Sequence, residues 1–410
     1  MRIYPENHGN GRRAARRLAA FAALTVLAIF TAGCWDRVEI QDRGMVKSMA
    51  VDVVEADPDP PATQRVEDFV QPHGPKQFML TLEVVRLAGG QRQSSGTSES
   101  QTFTISSHGR SLHEMKRDML GQLSKNLDFG HMDAVIFSEA ALKQEGLRPL
   151  MDNFLRDPSI RWRMRIYVTS GTARSILEYK TPTGEPLGQF LASLMTNQSR
   201  STHMPAARTD MGYITIALDN GGDVYLPRIE VAEKALKVGG GAAFHKDKFI
   251  GYVDEPTVQG WRLARGLQKA ASITIPCEEH PENLAVMEIT NSSATMEPHV
   301  DGDNIYFTVE YQASGNLAEF QCINEHGKVE PQDIHKLEKR FAQELTRSIA
   351  ASLHTMQVLN FDPSGVIAEK LKSREHATWL KIKDRWPEIY PTIPFYVHAS
   401  VTLQNIGEHR

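Results

Sequence analysis

The sequence predicts an α+β protein of more than one domain. Three observations carry this. Between Met45 and Leu177 short β-branched runs alternate with helical patterns, which implies strands and helices in packed layers, α+β or α/β. From Ala271 the chain turns to long strand-like runs, with a hairpin signal at Asp301-Gly-Asp-Asn. Pro331 then opens the longest helical pattern, with Ile334, Leu337, Phe341, Leu345, Ile349 and Leu353 stepping by three or four, an apolar face to lay against a sheet. The 410 residues, 41% of them apolar and 23% charged, suffice for two or three globular domains.

The N-terminus has its own logic. Arg12, Arg13, Arg16 and Arg17 precede an apolar run of roughly 13 residues, then Ala32-Gly33, then Cys34. A charged region, a short apolar region and a small-residue site form a secretory signal. The run is short of the about 20 residues a membrane helix needs. A cysteine directly after the small pair makes this a lipoprotein signal, with Cys34 acylated and first in the mature chain. Thr31 departs from it, standing where such signals usually carry leucine. The alternatives are an ordinary signal peptide with a coincidental cysteine, or an uncleaved anchor.

The first 33 residues hold five arginines and one glutamate, so with −4 over the whole chain the remainder is near −8. This argues against nucleic acid as a partner and against broad adhesion to anionic lipid. Cys277 and Cys322 are the other cysteines. Export favours a disulfide between them; two separate buried thiols are the alternative.

In chain order, Trp35 onward suits a short helix and Met45–Val54 a strand. Asp57-Pro-Asp-Pro-Pro-Ala is a loop. Phe78, Leu80, Leu82 and Val84 alternate as a half-buried strand pairing with the first, and Ala88–Gln101 is a Ser/Gln-rich loop. Thr102–Ser106 is a strand. Ser111 with Glu114 reads as a capping box for a helix whose core stripe is Leu112, Met115, Met119, Leu123 and Leu127. Ala134–Phe137 is a buried strand. Gly146–Leu155 is a helix ended by Asp157-Pro158, and Arg163–Val168 a strand. Helices follow from Gly171 and over Leu187–Met195. Tyr213–Leu218 and Val224–Ile229 read as two strands, Gly239–Val253 as a hairpin tipped by His245-Lys-Asp-Lys, and Thr257–Leu267 as a helix. Strands are expected at Ile273–Cys277, Leu284–Asn291, Asn304–Gln312 and Asn316–Cys322. Glu375–Trp386 is helical, stopped by Pro387, and Tyr396–Leu403 is a closing strand.

No catalytic pattern holds. There is no Gly-x-Ser-x-Gly, no phosphate loop and no His-Glu-x-x-His. Asp301-Gly-Asp-Asn lacks the glutamate of a calcium loop, and Glu278-Glu279-His280 reads as solvated loop. No metal or cofactor is expected. Arg156, Arg161, Arg163 and Arg165 form a basic segment. Ion pairs with Asp152 or Asp157 are one reading. A contact face for a partner, with the arginines along one side of a strand, is the other.

Six stretches occur in order: Gly33-Cys34-Trp35-Asp36-Arg37-Val38-Glu39-Ile40, His131-Met-Asp-Ala-Val-Ile-Phe-Ser-Glu, Asn153-Phe-Leu-Arg-Asp-Pro-Ser-Ile-Arg161, Ile275-Pro-Cys277, Gly315-Asn-Leu-Ala-Glu-Phe-Gln-Cys322 and Trp379-Leu-Lys-Ile-Lys-Asp-Arg-Trp386. In that order they resemble the Ger(x)C family, the C subunits of spore nutrient germinant receptors. The helix start at Gly171 and the hairpin from Ala243 also fit. Asp362-Pro-Ser-Gly-Val-Ile departs from the family's Gly- and Phe-rich stretch, which leaves the start of that helix open. The loop near Gly90 is richer in Ser and Gln than the family's.

The resemblance implies a three-domain α+β lipoprotein without catalysis. It would sit on the outer face of the spore's inner membrane with two membrane subunits, one a transporter-like permease. The expected organisation is a signal at 1–33, an α+β domain at 34–180, a connecting subdomain at 181–236 and an α+β domain at 237–410. The competing class is a solute-binding lipoprotein, which should show two similar α/β lobes.

Overall fold

The computed structural model describes residues 17–19, 21–22, 42–54, 77–86, 101–196, 209–233, 235–267, 271–322 and 331–406. Cys34, the helix expected after Trp35, the proline-rich loop at Asp57 and nearly all of the Ser/Gln-rich loop at Ala88–Gln101 lie outside them. Gly44–Arg410 forms one compact unit.

Nine strands make the first sheet, in the order β3-β2-β1-β5-β6-β7-β8-β9, with β4 also on β1. They are β1 (Arg43–Val53), β2 (Phe78–Val85), β3 (Thr102–Gly109), β4 (Asn126–Asp128), β5 (Ala134–Ser138), β6 (Arg165–Thr169), β7 (Val224–Ala232), β8 (Ala235–His245) and β9 (Lys248–Val253). β1, β5, β6 and β7 run parallel; the β2–β3 and β8–β9 pairs are antiparallel. β2 pairs with β1 as expected, and does so antiparallel; it is not half-buried, because Thr81 and Glu83 on its other face are buried too.

The central strands are apolar on both faces, as parallel strands covered by helices must be. Met49, Val51, Val135, Phe137, Ile166 and Val168 face one core. That core is closed by α1 (Leu112–Asp118), α2 (Glu139–Glu145), α3 (Leu147–Arg156) and α6 (Met211–Asp219). Ala50, Ala134, Ile136 and Tyr167 face the opposite core, under α4 (Ala173–Leu177) and α5 (Leu187–Leu194).

The second sheet has four strands, β10 (Ala271–Pro276), β11 (Leu284–Asp301), β12 (Asn304–Phe320) and β13 (Phe395–Asn405), in sequence order. α8 (Pro331–Val358) buries Leu337, Phe341, Leu345, Ile349 and Leu353 in the core it shares with this sheet, as its periodicity predicts. α7 (Glu255–Ala264) crosses α8 at Gly260, where an added Cβ would stand 2.5 Å from that of Ser352. α9 (Val366–Arg374), α10 (His376–Ile382) and α11 (Trp386–Ile389) complete this part. Cys277 and Cys322, just past β10 and β12, are bonded, with Cα atoms 5.4 Å apart and a sequence separation of 45. Closing a loop of that length is worth about 4 kcal/mol in the chain-entropy account.

The architecture is α+β, as the sequence implies. Five local expectations are corrected. Tyr213–Leu218 is helix α6, because the Asp210 side chain accepts from Tyr213 N at 3.0 Å and Met211, Ile214 and Leu218 share a buried face. The helix opened by Ser111 ends in a 3-10 turn at Met119–Gly121, so Leu123 lies beyond it and Leu127 sits on β4. Ser111 takes the N-cap position without a side-chain cap bond. β11 and β12 are single strands, bulged between Ile289 and Asn291 rather than broken. Pro387 opens α11 rather than stopping a helix, since its missing N–H has no partner in a first turn.

Candidate interaction sites

The basic segment begins at the end of α3. Pro158 cannot continue the helix and biases Asp157 to extended backbone, which it adopts at φ −88° and ψ 107°. The Asp157 carboxylate accepts from Ser159 N at 3.1 Å, Ser159 Oγ at 2.6 Å and Lys116 Nζ at 2.8 Å. Burial pushes this carboxyl up; the bonds from Lys116 and Ser159 outweigh that and leave it below the usual range. Lys116, 7% exposed, also lies over the Phe129 ring at 4.9 Å. Asp157 therefore ties α1 to the turn before β6.

The four arginines divide. Arg156 Nε donates to Asp152 at 2.8 Å, an exposed pair of little weight. Arg165 Nη1 donates to Ala192 O at 3.0 Å, joining β6 to α5. Arg161 and Arg163 are exposed, with no ion pair among the described residues, and between them Trp162 is 55% exposed. β6 starts only at Arg165, so the arginines do not line one strand face as expected; Arg161–Met164 is a turn. It is held by Met164 N to Arg161 O at 3.1 Å, Gly212 N to Trp162 O at 3.1 Å and Met211 N to Met164 O at 2.9 Å.

A second candidate is a cleft of about 900 Å3 where α6 and the β8–β9 tip meet α9, α10 and α11. Two buried carboxylates, Asp223 and Asp362, border it. Asp223, just before β7, accepts from Asp362 N at 2.9 Å and Lys246 N at 3.3 Å, and lies 3.0 Å from His245 Nδ1. Its carbonyl accepts from Ser364 N at 2.9 Å. The Asp362 carboxylate caps α9, accepting from Ile367 N at 3.0 Å and Ala368 N at 2.9 Å. This is the helix start that Asp362-Pro-Ser-Gly left open. Tyr213 and Ser364 hydroxyls meet at 2.7 Å across the cleft. Trp386 stacks on Tyr390 at 5.7 Å and meets Trp379 edge-on at 5.3 Å.

Burial, with help from the nearby charge of Asp223 and against the amide bonds at the start of α9, pushes the Asp362 carboxyl up to about 7. Burial raises Asp223 as well. A carboxyl whose folded value exceeds its ordinary value of 3.8 takes up a proton on folding. It therefore favours the folded state most at low pH, and that share is lost as pH rises toward about 7. Asp362→Asn removes the titration and keeps an oxygen for the α9 amides. We expect the variant to gain on wild type by on the order of 3 kcal/mol between pH 5 and 7, read from urea unfolding at each pH. A difference independent of pH would show that Asp362 titrates normally.

No three His, Cys, Asp or Glu side chains converge on a metal-sized site among the described residues. Glu278, Glu279 and His280 line a separate surface pocket beside Cys277 and Cys322. Sequence reasoning missed the Asp223–Asp362 pair, whose members are far apart in the chain, and passed over Trp162 as part of a basic run.

Residues 36–231 match the model described as spore germination protein N-terminal domain. Residues 239–407 match the one described as spore germination B3/GerAC like, C-terminal. The chain is similar to the putative spore germination protein YfkR of Bacillus subtilis (strain 168), 24% identical over 93% of this chain and 95% of the relative. It is similar also to spore germination protein YndF of the same strain, 24% identical over 96% and 97%. Among solved structures it shares a fold with that titled crystal structure of the GerBC protein, at TM-score 0.57 and 16% identity, over 87% of this chain and 97% of that one. With both models matched in order across nearly its whole length, the chain belongs to the GerAC-like family of spore germination proteins.

Proposed function

We propose that this chain is the lipid-anchored, non-catalytic subunit of a spore nutrient germinant receptor. The observation that carries the reading is the match to both family models from residue 36 to residue 407. That match begins two residues past Cys34, where the signal reading starts the mature chain. On this reading diacylglyceryl-Cys34 holds the body on the outer face of the spore's inner membrane. It sits there beside two membrane subunits, one of them a transporter-like permease. A solute-capturing lipoprotein is the rival class. It calls for two similar lobes, whereas these sheets have nine and four strands.

The test is isolation of the tagged chain from spore membranes, with mass spectrometry of what accompanies it. Two membrane proteins in fixed ratio are expected, and deletion of the chain should abolish the response to a nutrient. Recovery of the chain alone, with normal germination in the deletion strain, would sink the reading.

A further inference from the structure

Parallel pairing points β1, β5 and β6 the same way, with Ser48, five residues into β1, beside Ala134 and Ala134 beside Arg165, so β5 and β6 start on the side of the first sheet from which β1 enters. Asp133 N donates to Lys47 O at 2.9 Å and Arg165 N to Asp133 O at 3.1 Å. The Arg161–Met164 turn therefore hangs from the end at which the chain enters its folded body, about 10 Å to the side at two strand spacings. Only nine residues lie between Cys34 and Gly44, so the two are at most about 35 Å apart along extended chain.

The tip itself is unusual for an acidic protein. Two guanidiniums without ion pairs among the described residues flank an exposed indole. Carboxylates nearby are occupied: Asp133 by Lys47 at 3.1 Å, Asp157 by Lys116, and Asp210 by the Tyr213 amide. The backbone bonds to α6 hold the turn in one shape, so little order is lost on contact. Tryptophan suits a boundary between apolar and wet surroundings, and arginine donates in a fork to phosphate. The chain after the signal is near −8 as a whole, so attraction to anionic lipid calls for a local basic tip of this kind.

We propose that Arg161, Trp162 and Arg163 rest on the anionic phospholipid surface to which the chain is tethered. Trp162 lies at headgroup level, and the two arginines donate to lipid phosphates. The contact fixes which end of the first sheet faces the bilayer. It rests on the Cys34 anchor for the nearness of that surface.

The test does not use the acyl group. The chain from residue 34 onward, which keeps the Gly44–Arg410 unit whole, carries Cys34→Ala, Trp35→Phe and an N-terminal histidine tag. It is held on vesicles of nickel-chelating lipid, phosphatidylglycerol and brominated phosphatidylcholine. We expect the brominated lipid to quench tryptophan fluorescence, and Trp162→Phe to remove that quenching. Arg161→Glu with Arg163→Glu should remove it too, with the melting temperature unchanged. Untagged chain should partition onto phosphatidylglycerol vesicles at least about thirtyfold less well with both charges reversed, since loss of the two positive charges alone accounts for that much. Quenching that is absent, or indifferent to Trp162 and the two arginines, overturns the proposal. If the reversals instead break co-isolation of the membrane subunits while vesicles give no quenching, the tip is a protein contact and the lipid proposal is wrong. Cys34 acylation is read separately, by mass spectrometry of the native protein, so either idea can fail alone.

Discussion

Cys34→Ala should give a spore protein that is either an unprocessed precursor or free of the membrane, and spores that fail to answer the nutrient. On the proposed reading the thiol is where the diacylglycerol attaches, because it follows a small pair at the end of an apolar run of roughly 13 residues, too short to span where about 20 are needed. Each buried methylene contributes about 0.8 kcal/mol, and two chains anchor where one binds only marginally. Losing both chains is therefore close to all-or-none. The Arg161–Arg163 tip is too small to replace them, since two basic residues are worth about 2 kcal/mol at an anionic surface. Fractionation of spore membranes and the intact mass of the mature chain are the measurements. A Cys34→Ala protein that stays in the membrane fraction and supports normal germination, or native protein with Cys34 unmodified, would end the anchor reading.

Where a segment's burial follows from its own spacing, the sequence was legible. The apolar face of β2, the wholly apolar Ala134–Phe137 and the stripe from Leu337 to Leu353 each lie against the core as their spacing requires, although β2 also buries Thr81 and Glu83 on the face that the alternation leaves to solvent. Tyr213–Leu218 was misread because Ile and Thr at alternate places look like a strand, while the deciding bond, Asp210 to the Tyr213 amide, lies outside the run. β11 was cut short at Asn291 because Ser292 and Ser293 look like a turn, whereas a bulge absorbs the irregularity within one strand. The arginines illustrate the limit for sites. Counting alternate positions presumes a strand start, and β6 begins two residues after Arg163. Asp223 and Asp362 meet only because β7 and the α9 start come together in space.

Those carboxylates belong to a wider pattern that spacing could not reveal. Besides α6 and α7, which start against their own N-cap residues Asp210 and Asp254, three helices start against an acid that is not their N-cap residue. Asp52 on β1 accepts from Ala173 N at 2.7 Å and Arg174 N at 2.9 Å, at the start of α4. Asp362 does the same for α9, and Glu83 on β2 for α5. Each satisfies amide donors that have no partner within the helix, with carboxyl oxygens at the positive end of the dipole. Two of the three fix helices onto the first sheet, so they set the packing of its second core as well as a local cap.

Glu83→Ala should be among the most destabilising single changes in the chain. Glu83 is 2% exposed and its carboxylate accepts three bonds, from Ser48 Oγ at 2.6 Å, Leu187 N at 2.7 Å and Gly188 N at 3.1 Å. No other residue can move in, because α5 lies against β1 so closely that a Cβ on Gly188 would stand 2.2 Å from Lys47 O. Alanine leaves the three donors buried and unpaired at about 1–3 kcal/mol each, so a loss of about 4–6 kcal/mol is expected. That is a large part of the 5–15 kcal/mol that holds a typical domain. Glu83→Gln keeps the shape and one acceptor oxygen while turning an amide toward the remaining donors, and should lose about half as much. Gly188→Ala should match the alanine variant by a different route, since backbone cannot yield as a side-chain end does. Urea unfolding of the three variants gives the order. A loss below 1 kcal/mol for Glu83→Ala, or Gly188→Ala as stable as wild type, would show that α5 does not depend on this seat.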